Sequence, residues 1–137
     1  MSPEAAREEL SRRADAIEGG YEMMLAYAAQ GLSTDQGAAN SSQLRDHLQR
    51  FETALTGLAQ TYRECAAALG VGPKDALDGF LNTLEADAAT TQAALRLVLG
   101  QPGISSQMID NINASIHVRA LLTDVFIIDE VIKSSKT

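Results

Sequence analysis

His47, His117 and Cys65 are the side chains in this sequence whose chemistry is most open to metal binding, nucleophilic attack or proton transfer. A dinuclear metal centre between helices needs Glu-x-x-His pairs, because a Glu and a His one turn apart converge on one ion. Neither histidine has a Glu or Asp three or four residues before it, so no metal ligand set is assigned. Cys65 is the only cysteine; it can form neither an internal disulfide nor a zinc site, and its place among leucines marks a buried thiol. The run Gly70-Val71-Gly72-Pro73-Lys74 lacks the glycines of a phosphate cradle and follows no strand, so it reads as a turn. No serine stands in a nucleophile elbow. No cofactor is assigned, and nothing marks the chain as an enzyme.

Whatever the chain does must be done on helices. Leu44, Leu48, Phe51, Leu55, Leu58, Tyr62, Cys65 and Leu69 recur at alternating steps of four and three, which is a heptad seam. Leu10, Ala14, Ile17, Tyr21, Met24 and Ala28 repeat the spacing, as do Leu77, Leu81, Leu84, Ala88, Thr91, Leu95 and Val98. Ser2 with Pro3, Ser41 or Ser42, Pro73 and Ser105 supply helix starts, and Gly31, Gly70 and Gly100 supply stops. The 137 residues, 45% of them hydrophobic, form one domain (1–137): an all-α, up-and-down antiparallel four-helix bundle. The helices are expected at 3–30, 42–69, 73–99 and 106–133, of about equal length, with a tail at 134–137. The polar connection 31–41 is expected to be mobile and the best place for an insertion.

The fourth helix is unusual. On a continuous wheel Met108, Ile109, Ile112 and Ile116 lie on one face, while Val118, Leu121, Val125, Ile128 and Ile132 lie almost opposite. One core covers only one such face, so the second stripe is expected at an isologous homodimer interface. Gly19-Gly20 inside the first helix is costly, and something at that height should compensate. In an up-and-down bundle that level meets residues 88–91 and 116–117. The plain account is close approach of helices through small residues. The alternative is a polar mid-core cavity for a small ligand, lined by Gly19, Gly20, Tyr21, Thr91, Asn113 and His117.

One further feature bears on chemistry. His47 is followed by Leu48, Gln49, Arg50 and Phe51. This turn resembles that of histidine phosphotransfer domains, four-helix bundles whose exposed phosphate-accepting His is followed by a Lys and then a Gly one turn on. Arg50 can replace the Lys, but Phe51 stands in the place of the Gly. The resemblance covers one helical turn and implies phosphate transfer at His47 as a third reading.

The net charge of −7, with scattered Lys and Arg, argues against a nucleic-acid partner. The most apolar stretch, 118–132, is interrupted by Arg119, Asp124, Asp129 and Glu130, so no membrane span is expected. Residues 1–15 are charged throughout and carry no signal-peptide pattern, which with the lone cysteine points to the cytoplasm. The sequence therefore reads as a small cytoplasmic interaction protein, an adaptor, accessory factor or assembly chaperone. It is expected to be homodimeric through its fourth helix and to bind another protein.

Overall fold

The structure is a computed structural model that describes residues 2–135; Met1 and, of the expected tail, Lys136 and Thr137 lie outside the described residues. Among the described residues it is entirely helical. There are six helices where four were expected: α1 (Pro3–Ala28), α2 (Ser41–Leu55), α3 (Leu58–Leu69), α4 (Lys74–Leu99), α5 (Ser106–Ala114) and α6 (Ile116–Ser134).

Two of the four expected helices are each broken once. The second breaks at Thr56 and Gly57, where Thr56 is extended and Gly57 takes φ +74°, a left-handed conformation that glycine adopts without a Cβ penalty. The carbonyls freed there are satisfied from two sides. Arg13 Nη1 on α1 donates to Ala54 O (2.9 Å) and Thr56 O, and Gln92 Nε2 on α4 donates to Glu52 O (3.0 Å) and Thr56 Oγ1 (2.6 Å). The seam survives the break: Leu44, Leu48, Phe51, Leu55, Leu58, Tyr62 and Cys65 are all buried.

The other break lies at Ser115, whose ψ of 133° ends α5 and whose hydroxyl accepts from His117 N to begin α6. It resolves the two opposed apolar faces of the expected fourth helix. With the register reset at Ser115, Ile109 and Ile112 of α5 and the stripe Val118, Leu121, Val125, Ile128 and Ile132 of α6 all turn into the same core. α5 packs on α1, and α6 packs on α4. Further packing joins α1 and α4 to α2 and α3, and α5 to α6.

Ser2 and Ser105 cap α1 and α5 as their positions imply, accepting from Ala5 N and Met108 N. Ser41 does not cap α2. Asn40 holds the cap position, and the Ser41 hydroxyl is drawn to Asp35 instead.

The 31–41 connection, expected to be mobile, is tied to the rest of the fold at Asp35. Asp35 is 1% exposed and accepts from Arg45 Nε (2.7 Å) and Nη2 (3.1 Å), Ser41 Oγ (2.7 Å) and Ile104 N (2.8 Å). Arg45 reaches onward to the carbonyls of Leu99, Gln101 and Pro102. Leu32 and Ser106 exchange hydrogen bonds, while the Tyr27 hydroxyl donates to Ile104 O. The connection is thus stapled to the α4–α5 turn through Leu32 and Asp35, while Gln36, Gly37 and Ala39 stay exposed. The Arg45 guanidinium holds the Asp35 carboxyl far below the usual carboxylate range.

Candidate functional site

With its core face committed to the interior, α6 presents an opposite face to solvent, and that face is half apolar. Ile116 is 74% exposed, Phe126 60%, Ile127 47% and Val131 40%, and at 100° per residue they share one side of the helix. The same side carries Arg119, Thr123 and Glu130, all exposed. Among the described residues neither Arg119 nor Glu130 enters an ion pair. Next to it, between α6 and the start of α4, lies an open groove of about 240 Å³ walled by Val71, Pro73, Leu77 and Phe80 with Ile127 and Val131. The surface can bury apolar side chains of a partner and offer it one cation and one anion.

The stripe expected at a dimer interface is elsewhere. Val118, Leu121, Val125, Ile128 and Ile132 are each 6% exposed or less and are core residues of the same chain. The break at Ser115 resets the helical register, so the side of this segment that a continuous wheel puts outside faces the core.

The residues expected around a mid-core ligand stand on α1 (Gly19, Gly20, Tyr21), α4 (Thr91), α5 (Asn113) and α6 (His117). Gly20 lies under Phe51: a Cβ at Gly20 would stand 2.6 to 2.9 Å from Phe51 Cδ2, Cβ and Cγ. Gly19 lies beside half-buried His47, whose Nδ1 would be 3.7 Å from a Gly19 Cβ. Tyr21 is half-buried and His117 is exposed at the start of α6. Thr91 is buried on α4 beside Gln92, which donates to Glu52 O and Thr56 Oγ1. Asn113 is buried on α5, with neither amide atom hydrogen-bonded, and the buried Thr91 hydroxyl is also without a partner.

Two buried polar arrangements carry chemistry that the sequence reading missed. Asp124 on α6 faces Asp87 on α4. Burial first, and then the hydrogen bond and charge of Asp87, together push the Asp124 carboxyl up to about 7. Its Oδ2 is shielded from solvent and has no hydrogen-bond partner, which favours the protonated acid beside a second carboxylate. The signal was present: Asp124 sits inside the stripe Leu121, Val125, Ile128, where an acid is out of place. The second is Tyr62, 1% exposed, whose hydroxyl donates to Asp129 Oδ1 at 2.7 Å. Beside it Cys65 is a free, fully buried thiol, and burial raises its pKa.

Among the described residues no three His, Cys, Asp or Glu side chains are grouped to hold a metal, and no helix is long and apolar enough to cross a membrane. Comparison with protein-family models, with curated proteins and with solved structures found no match.

Proposed function

We propose that this chain is an interaction module, an adaptor, accessory factor or assembly chaperone, that docks through the outward face of α6 and the neighbouring flank of α4. The observation that carries this reading is the exposure of Ile116, Phe126, Ile127 and Val131 on one helix side, next to a groove edged by Phe80. Large apolar groups clustered on a protein surface mark contact surfaces.

A second copy of the chain is the first partner we assign. Arg119 and Glu130 lie eleven residues apart on this face, roughly 16 Å along the helix. A second α6 laid antiparallel, with the two-fold axis at the level of Asp124 and Val125, sets Arg119 against Glu130 twice. The same register sets Phe126 against Thr123 twice. Two ion pairs that close only in the dimer select this pairing over others. In this reading α2 with α3 and α5 with α6 act as two bent rods beside α1 and α4, an up-and-down bundle of four. The lone buried thiol and the acidic charge suit a reducing, cytoplasmic setting and a partner other than nucleic acid.

Sedimentation equilibrium at micromolar concentration tests the proposal. The wild type is expected to sediment as a dimer and Phe126→Glu as a folded monomer. Arg119→Glu should weaken association, and adding Glu130→Arg to it should restore it. A wild type that stays monomeric at every concentration rejects the self-association.

The alternative, a small molecule bound in the core, draws support from one observation: the unpaired amide of Asn113 and hydroxyl of Thr91, both buried. A ligand hydrogen-bonded to them would have to enter between helices.

A further inference from the structure

α1 packs on α2, α3 and α5, and α6 on α4, which leaves a cleft of about 340 Å³ between the first turns of α1 and the last turns of α6. Helical spacing puts Arg7, Leu10, Ser11 and Ala14 on its α1 wall and Asp129, Ile132 and Lys133 on its α6 wall. Its volume is at the lower end of the range for small-molecule sites, roughly 300 to 1,000 Å³.

The charges of this cleft make no direct ion pair among the described residues; Lys133, one turn from Asp129 on α6, acts on its carboxylate only through space. Arg7 Nε is shielded from solvent and has no hydrogen-bond partner. Among the described residues none of Arg7, Lys133 and Asp129 enters an ion pair, although all three line the same cleft. Asp129 cannot simply swing to a cation, because the Tyr62 hydroxyl holds its Oδ1 at 2.7 Å from behind. Cationic and anionic groups that line one partly buried cleft are complemented by a ligand that carries both charges. Leu10, Ala14 and Ile132 supply an apolar surface in the same space.

We propose that the cleft between α1 and α6 binds a small zwitterion, an α-amino acid with an aliphatic side chain. Its carboxylate pairs with Arg7 and Lys133, its ammonium with Asp129, and its side chain lies on Leu10, Ala14 and Ile132. Tyr62 is a positioning residue that fixes the Asp129 carboxylate for the ammonium. The site is distinct from the outward face of α6 and does not depend on dimerisation.

The test is a titration of the uniformly 15N-labelled full chain with L-leucine, followed by amide chemical shifts. Saturable shifts are expected at Ser11, Asp129 and Lys133 with one ligand per chain. 4-Methylpentanoate lacks the ammonium and 3-methylbutylamine lacks the carboxylate; each should bind at least tenfold more weakly, a loss of about 1.4 kcal/mol. Arg7→Gln should weaken leucine at least tenfold while its spectrum keeps the dispersion of a folded chain. Should Arg7→Gln fail to fold, the analogue series on the wild type and Lys133→Gln, at an exposed position, decide the matter. Three results overturn the proposal: no saturable shift at millimolar leucine, shifts confined to other parts of the chain, or singly charged analogues that bind as well as leucine.

Discussion

The ring of Phe51 rests on the bare backbone of Gly20, so closely that a Cβ on the glycine would overlap three of its carbon atoms at 2.6 to 2.9 Å. Phe51 is fully buried and has no open space to retreat into. Gly20→Ala should therefore destabilise the chain by about 1 to 3 kcal/mol, the usual cost of overpacking, despite the helix propensity gained. Gly19→Ala should do the opposite. Its new methyl meets only His47, at ordinary contact distance, so about 0.5 to 1 kcal/mol of stability is expected. Urea denaturation of the two variants measures both signs side by side.

The Asp87 and Asp124 pair makes stability depend on pH. An acid held up to about 7 in the folded state, against an ordinary value of about 4 in the unfolded chain, binds a proton on folding across that interval. Its contribution is greatest at low pH, falls as pH climbs from about 4 to about 7, and is level above. Asp124→Asn should flatten this slope and add roughly 1 to 3 kcal/mol at pH 8, with little change at pH 4. Denaturation midpoints collected across that range give the answer. An unchanged slope would mean that Asp124 does not take up a proton on folding.

Asn113 buries an amide with nothing to bond. Replacing it by leucine, which has the same branched skeleton with two methyl groups for the amide atoms, removes the desolvation penalty, and about 1 kcal/mol of added stability is expected. A loss of stability in Asn113→Leu would show that the amide has a partner in solution, which would favour the small-molecule reading.

Asp35 is the reverse case, a buried charge with every partner in place. Asp35→Ala leaves Ile104 N without its acceptor and Arg45 without its counter-ion, so a loss of about 3 to 5 kcal/mol is expected. The Asp35 carboxyl is depressed, so its support is present above about pH 4 and fades as pH falls through the acid range. A melting temperature within a degree or two of wild type would argue against the network.

Much of the architecture was legible because the heptad spacing reports burial directly. Leu44 to Cys65 on the second segment and Leu81 to Val98 on α4 are core positions as the pattern implies. The breaks were not legible, for a physical reason. The bend at Thr56 and Gly57 is stabilised by Arg13 and Gln92, about 40 residues away on either side, and no local window contains them. The Ser115 break is local but quiet, since a serine fits a helix and a cap equally well. A wheel continued through Ser115 inverts the two faces of α6, placing Val118 and Val125 outside, whereas Phe126 and Ile127 are the exposed residues. Buried charge was harder still. Asp35 sits in a polar stretch that looks like any surface loop, and only its fold partners, Arg45 and Ile104, give it away.

The hydrogen bond from Ile104 N to Asp35 spans 69 residues of chain and is sealed from water. No local fluctuation frees that amide, because α1 and the 31–40 turn on one side and the α4–α5 turn on the other must separate first. Its deuterium uptake should therefore be among the slowest in the molecule and should follow global unfolding. A single amide signal then serves as a stability gauge under native conditions, without denaturant, for every variant in which Asp35 is kept.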